Sequence, residues 1–424
     1  MKTLDEIAAE LQGYDPQALR ADTVNAFLAR LVTPVTQTET LGVFDALDRV
    51  LAQDLVSPIS VPPHDNSAMD GFAFDGNQLG ADPLRLKVVG TALAGPAWQG
   101  TVAKGECLKI MTGAVLPSGL DTVVPQELTQ VTPQAGGDVV QIPPGILQRG
   151  DNRRLRGEDL MQGQPAMRRG ERITPAAMGL IASLGLAQTE VYRRLRVAYF
   201  STGDEILSLG EVPREGAVYD SNRYTVFGLL KRMGVEVIDM GVVRDDPSAL
   251  KEAFTAAALT ADAIITSGGV SVGEADHTKA MMRELGDVAF WRIAMRPGRP
   301  MAVGRTGKAV LFGLPGNPVA VMVTFLAFVR PALLQMMGAS SPNAPLLKAA
   351  SLEPLRKKPG RTEYQRGIVS RSADGHLSVK ITGNQGSGVL SSMVQANGLI
   401  VLHHDQGNVA VGDLVDVMMF DGAI

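Results

Sequence analysis

The chain has 424 residues, 45% of them hydrophobic, with 40 basic and 44 acidic side chains and a formal net charge of −4. That length exceeds one ordinary core and implies several domains, and the near-neutral balance gives no general attraction to nucleic acid or to an anionic membrane, so an anion site has to be local. The single cysteine, Cys107, rules out an internal disulfide and a paired-cysteine zinc site.

The start, MKTLDEIAAE, lacks the apolar stretch of a secretory signal. The longest apolar run, 319–329, is broken by Thr324 and too short to cross a bilayer, so a cytoplasmic protein is expected. Residues 4–31 carry helical periodicity (Ile7, Leu11, Val24, Phe27, Leu28, Leu31), and 40–51 read as a further helix. From Ser57 the prolines at 58, 62 and 63 lead into HDNSAMDGFAF. Short β-type runs follow at 84–89, 107–111, 122–124 and 139–142, separated by turn residues, and these read as a small all-β module. The Arg-rich stretch GDNRRLRGEDL precedes a return to helix at 173–186.

From Arg194 the pattern alternates. Strands are predicted at 196–200, 235–243, 263–265, 288–294 and 308–312. Helices are predicted over 224–231, with Asp220 or Ser221 as N-cap and Gly234 as stop, after Asp246-Pro247, after Asp276, and from Asn317-Pro318 to about Met337. Repeated strand–loop–helix units imply a parallel sheet covered on both faces. Residues 344–424 are β again, a small barrel or a sandwich.

In an open α/β sheet the ligand sits outside the carboxyl ends of the strands. Those ends carry Thr202-Gly203-Asp204-Glu205, Arg244-Asp245-Asp246, the run from Ser267 through Gly268, Gly269, Ser271, Gly273 and Glu274 to Asp276, Arg296-Pro297-Gly298-Arg299, and Pro315-Gly316-Asn317-Pro318. The glycines let backbone N–H groups approach a phosphate. Arg292, Arg296 and Arg299 offer guanidinium forks for oxyanions. Asp204, Glu205, Asp245, Asp246, Glu274 and Asp276 offer hard oxygens for a divalent cation. A phosphorylated or pyrophosphate ligand bound with Mg²⁺ suits both sets. Neither a P-loop nor a GxGxxG fingerprint is present. Plainer roles stand beside these: Asp246 and Asn317 open helices, and His277, His403 and His404 lack a partner at ligand spacing.

With these loops in view, the chain resembles the MoeA family, the molybdopterin molybdenumtransferases, which includes the E domain of gephyrin. The segments that carry the resemblance are DNSAMDGFA (65–73), IMTGAVLP (110–117), RGEDL (156–160), STGDEI (201–206), YDSNR (219–223), RDDP (244–247), SGGVSVGEADHTK (267–279), RPGRP (296–300), GLPGNPV (313–319), and QRG with GNQGS (365–367, 383–387).

The resemblance implies a multidomain α/β plus all-β fold: a central doubly wound parallel α/β domain (1–37 and 186–343), a small β domain (57–163), an elongated linker region (38–56 and 164–185) and a C-terminal β-barrel-like domain (344–424). It implies an elongated homodimer, with the cleft completed by the small β domain of the second subunit. The implied reaction places molybdenum from molybdate on adenylylated molybdopterin and releases AMP with Mg²⁺. The implied partner is the molybdopterin adenylyltransferase of the same pathway, with no nucleic acid and no membrane. By motif, Asp70, Thr112, Asp159, Glu205, Asp245 and Asp276 carry over as catalytic positions. Gly268, Gly269, Ser271, Gly273, Arg292, Arg296, Arg299, Pro315, Gly316, Pro318, Arg366 and Ser387 carry over as substrate-binding, and Glu205, Asp245, Glu274 and Asp276 as metal ligands. The family often has lysines where this chain has Arg292, Arg296 and Arg299; arginine keeps the charge and adds bidentate geometry. The adenylylation step itself and a non-catalytic scaffold are the alternative readings. SAMDG and the extra β domains weigh against the first, and the lack of an attached second α/β domain against the second.

Overall fold

The structure, a computed structural model, describes residues 2–269, 277–340, 345–372 and 375–420. Its centre is a six-stranded sheet of β1 (Arg196–Thr202), β2 (Glu236–Val243), β3 (Ala263–Ser267), β4 (Asp287–Arg292), β5 (Pro300–Thr306) and β6 (Ala309–Leu314), in the order β2-β1-β3-β6-β5-β4. β1 pairs in parallel with β2 and β3, and β3 with β6. β5 runs antiparallel to both β4 and β6. The sheet is therefore mixed, where the sequence reading expected it to be parallel throughout and placed no strand at 300–306. A tight turn at Gly307-Lys308 sets Thr306 opposite Ala309 and joins β5 to β6 as a hairpin. Gly307 takes φ +60° there, which suits the twist of a two-residue hairpin.

The described helices of this layer and its neighbours are α1 (Leu4–Ala9), α2 (Ala21–Leu31), α3 (Pro175–Ser183), α4 (Ser221–Arg232), α5 (Pro247–Thr260), α6 (His277–Leu285) and α7 (Pro318–Met336). Side chains alternate across β1. Val197 and Tyr199 join a core with α1, α2, α4 and α7, whereas Ala198 and Phe200 join one with α5 and α6. Helices thus cover both faces. The caps follow the sequence: Asp220 accepts from the Arg223 N–H, and Asp246 from the Ser248 and Ala249 N–H groups.

Helix α7 continues to Met336 through a π turn at Phe325–Val329. Pro331 lacks the N–H that a regular ladder would need, and a wider turn accommodates the break. The helix thus ends within a residue of the Met337 that the sequence predicted. It is long and apolar enough to cross a membrane, but 78% of that window is buried inside the protein, so its apolar surface is spent on the core.

The predicted helix over 40–51 is not formed. Thr38–Gly42 is a strand, antiparallel to Gln188–Tyr192, and only a short 3-10 turn (Val43–Ala46) follows. Pairing with a distant strand overrides the local helical pattern. With α3 and the ribbon of Leu55–Val56 on Pro165–Met167, these strands enclose a small core around Ala46, Leu51, Ile173, Ile181 and Val191. A second six-stranded sheet holds Gly71–Phe74, Leu84–Ala92, Glu106–Ile110, Thr122–Pro125, Gln130–Thr132 and Val139–Ile142.

The C-terminal strands settle the choice left between barrel and sandwich. Thr362–Arg371 pairs with Leu377–Ile381 on one side and Gly398–Leu402 on the other, closing a five-stranded barrel. Met295–Arg296 adds in parallel to Thr362 and Glu363, which ties the loop after β4 to the barrel.

Candidate active site

Strand order reverses between β1 and β3, and there a cavity of about 570 Å³ opens at the carboxyl ends of the strands. Thr202 ends β1 and Glu205 follows it, Ser267 ends β3 and Gly268 follows it, Asp220 and Asn222 begin α4, and Pro318 begins α7. Gly388 and Leu390 of the barrel region close it. Gly268 has φ +88°, and a Cβ there would lie 2.3 Å from the Thr202 carbonyl oxygen. Only glycine lets β3 turn away this close to β1. The Asn222 side-chain amide donates to the Gly316 carbonyl at 2.7 Å and so joins α4 to the loop before α7.

The two adjacent aspartates after β2 have different partners. Asp246 is the cap of α5. Asp245, half-buried, accepts from the Thr278 hydroxyl at 3.2 Å, and that hydroxyl also lies 3.4 Å from Thr202 Oγ1. Thr278 is fully buried in the first turn of α6 and so links the loops after β1, β2 and β3.

A second cavity, about 550 Å³, adjoins the first and shares Gly316 and Asn317 with it. Its lining includes Arg296, Arg299, Pro315, Arg361, Gln385 and Ser387. Arg361 forms an ion pair with the buried Glu363 at 2.7 Å. Three guanidinium groups on one cavity suit a small oxyanion. Arg292 is not among them. It is exposed at the end of β4, the sheet edge, and its backbone N–H donates to the Pro16 carbonyl at 2.8 Å.

Arg366 is 1% exposed. Its guanidinium donates to Ser392 Oγ at 3.0 Å and to the carbonyls of Asn384 and Gly386 at 3.3 and 3.0 Å. Burial, with Arg296 adding, pushes its pKa down to about 10, so it stays charged at neutral pH. It fixes the loop whose Gly386 and Ser387 line the second cavity. The Ser387 carbonyl in turn accepts from the Val319 N–H at 3.1 Å. Asn317 holds the cap position of α7, but its side chain makes no capping bond; the barrel's Ser387 serves that end instead.

Asp70 and Thr112 form a pair in the small β sheet region. Asp70 Oδ1 accepts from the Thr112 N–H at 2.7 Å and its hydroxyl at 2.8 Å, which holds the carboxyl below the usual carboxylate range. Asp70 and Asp159 are exposed, and neither they nor Thr112 line either cavity. Ser271, Gly273, Glu274 and Asp276 lie outside the described residues. Among the described residues no group of three or more His, Cys, Asp or Glu is placed to hold a metal ion. The described members of the expected ligand set, Glu205 and Asp245, are carboxylates, the donor type that Mg²⁺ takes. His403 is held by Asp416 at 2.7 Å.

Sequence reasoning missed Arg361, Gln385, Asp220 and Asn222 as site residues. The last two stand inside the quoted YDSNR. Arg361 follows Gly360 with no local pattern, and only barrel closure brings it to the cavity.

The fold and the cleft define a multidomain α/β protein with two adjoining cavities between its central sheet and a C-terminal barrel. Residues 19–185 match the MoeA N-terminal region (domain I and II), 198–335 a probable molybdopterin binding domain, and 348–420 the MoeA C-terminal region (domain IV). The chain is 41% identical to a molybdopterin molybdenumtransferase of Haemophilus influenzae, across 91% of this chain and 95% of that one. It is 35% identical to a molybdopterin molybdenumtransferase of Nostoc sp., across 92% and 91%. The crystal structure of the molybdopterin biosynthesis moeA protein from Pyrococcus horikoshii OT3 superposes with a TM-score of 0.80 at 26% identity, covering 95% of this chain and 100% of that one. The chain belongs to the MoeA family.

Proposed function

We propose that the chain is a molybdopterin molybdenumtransferase of molybdenum cofactor biosynthesis, acting on adenylylated molybdopterin and molybdate and releasing AMP with Mg²⁺. The observation that carries this reading is the pair of cavities joined at Gly316 and Asn317, one polar and glycine-edged, the other lined by three guanidinium groups. Molybdate must approach a phosphoanhydride of the same sign. Arg296, Arg299 and Arg361 offset that repulsion and orient the oxyanion. The backbone at Gly268 and Gly269 and the Ser267 hydroxyl receive phosphate oxygens. Glu205, Asp245, Glu274 and Asp276 would hold Mg²⁺, which supplies charge stabilisation on the departing adenylate. Arg366 keeps the Asn384–Gly386 carbonyls turned inward, so that Ser387 faces the cleft.

The reading includes a homodimer. Asp70 and Thr112 line neither cavity of their own chain, and Asp70 is exposed beside Met69, which is 46% exposed. On the rim of the first cavity, Val218 and Tyr219 are 57% and 43% exposed. A second copy that covers that rim would bring Asp70, Thr112 and Asp159 to the cleft. The adenylyltransferase of the same pathway is the partner that supplies the substrate, in the cytoplasm. The test is incubation with adenylylated molybdopterin, molybdate and Mg²⁺. AMP release is expected, and its absence sinks the reading; turnover of ATP with free molybdopterin would favour the adenylylation step instead. Asp276→Ala is expected to abolish AMP release while the dimer stays folded.

A further inference from the structure

The inner end of the switch-point cavity is built on three hydroxyls. Tyr199 Oη lies 2.6 Å from Ser267 Oγ and 2.9 Å from Ser201 Oγ, and the two serine oxygens are 3.3 Å apart. The backbone explains the grouping. Tyr199 and Ser201 are two apart on β1 and so point to one face, and Ser267 is the register partner of Ser201 on β3. All three side chains are buried, Tyr199 at 1% and each serine at 2% exposure. Both serines line the cavity, and Tyr199 stands behind them. Among the described residues the two serine hydroxyls have no side-chain hydrogen bonds outside this triangle.

Three hydroxyls carry three protons, and the triangle has two short edges and one long one. A phenol is a better donor than an alcohol, so the shortest edge is read as Tyr199 donating to Ser267. The 2.9 Å edge is then Ser201 donating to Tyr199. That leaves the Ser267 proton for an acceptor in the cavity, next to the Gly268 turn. Donation along such a chain polarises each successive hydroxyl. Burial raises the phenol's pKa well above its ordinary value, so Tyr199 keeps its proton through the neutral range.

We infer that Tyr199 is a positioning residue for the phosphate-bearing ligand: it accepts from Ser201, donates to Ser267, and so aims the Ser267 proton at an anionic oxygen in the cavity. The identity of that ligand rests on the proposed function. The relay itself rests on the triangle and its register.

The test is AMP binding with Mg²⁺ by calorimetry, alongside KM and kcat for AMP release, on Tyr199→Phe, Ser267→Ala and the double variant. Tyr199→Phe loses one neutral hydrogen bond and weakens AMP binding about threefold to tenfold, whereas Ser267→Ala loses the bond to the anionic oxygen and weakens it about tenfold to 150-fold, with KM rising by similar factors. Because Tyr199 acts through Ser267, the double variant binds no more than about twofold weaker than Ser267→Ala alone. Wild-type affinity in Tyr199→Phe, or losses that multiply in the double variant, would overturn the relay. If Tyr199→Phe does not fold, Ser201→Ala takes its place in the cycle with the same non-additivity expected. A wild-type protein that binds no AMP overturns the ligand reading, whereas a wild type that binds and a Tyr199→Phe variant that binds equally overturn the relay alone.

Discussion

Replacing Arg366 by alanine separates two roles that a cleft arginine can have. The side chain is buried, and its guanidinium is engaged by Ser392 and by the carbonyls of Asn384 and Gly386. Charged donors contribute about 1.5–3 kcal/mol each, but truncation also relieves the desolvation of the guanidinium and lets the loop carbonyls rehydrate. A cavity term is added. The expected net loss is roughly 2–4 kcal/mol, local to the 383–390 segment. Global unfolding is a poor readout for a chain of several modules, and both tryptophans, Trp98 and Trp291, lie outside the barrel. Hydrogen exchange is the suitable assay. At 1.4 kcal/mol per decade, protection of the 383–390 amides falls about 30- to 700-fold. Molybdate affinity falls as well, because Ser387 loses its support. Unchanged exchange with lost molybdate binding would refute this reasoning and make Arg366 a direct ligand contact.

Three further outcomes follow from other parts of the molecule. Gly268→Ala places a side chain at φ +88° with its Cβ 2.3 Å from a backbone oxygen. The conformation alone costs about 1–2 kcal/mol, and the contact forces β1 and β3 apart, so AMP affinity should fall at least about tenfold; calorimetry showing wild-type affinity would contradict it. The Asp262 carboxyl would be raised by burial, but the Arg193 fork, at 2.7 Å to each oxygen, and the Arg196 N–H at 2.8 Å outweigh this and hold it below the usual range. A folded pKa below the unfolded value of about 3.9 gives stabilisation that is complete above that pH and lost as pH falls through the folded value. The gap in amide-exchange protection of β1 and β3 between wild type and Asp262→Asn should therefore be constant near neutrality and shrink below about pH 4; a gap unchanged at pH 3 would count against the pair. Burial, with Glu106 adding, pushes the Cys107 thiol up to about 12. It should not react with a thiol reagent in the folded protein at pH 8 and should react fully after denaturation, and rapid native labelling would show the site to be open.

Local signals made much of the central domain legible. Buried apolar runs marked β1, β3 and β6, and Asp220, Asp246 and Pro247 marked helix starts that the structure keeps. Strand β5 was missed because RPGRP reads as loop, although the apolar residues either side of Thr306-Gly307-Lys308 carry a hairpin signal. The strand in place of a helix at Thr38–Gly42 depends on a partner some 150 residues away, which no local window contains. The grouping of Arg296 and Arg299 with Arg361, and the exclusion of Arg292, follow from an edge pairing between Met295–Arg296 and the barrel. Residue type alone could not divide those arginines.

The loop Pro315–Pro318 is a party wall. Gly316 and Asn317 face both cavities, Gly316 is tethered to α4 through Asn222, and the first free N–H of α7 is held by Ser387 of the barrel region. On the proposed function, a shift that improves the fit on one side would be felt on the other, so occupancy of the two rooms would be thermodynamically linked. Linkage of this kind is reciprocal: if a phosphate ester on one side tightens the oxyanion's grip on the other, the oxyanion tightens the ester by the same factor. The order in which the two ligands arrive then leaves the total free energy unchanged, and the wall, rather than either room, sets how strongly each senses its neighbour.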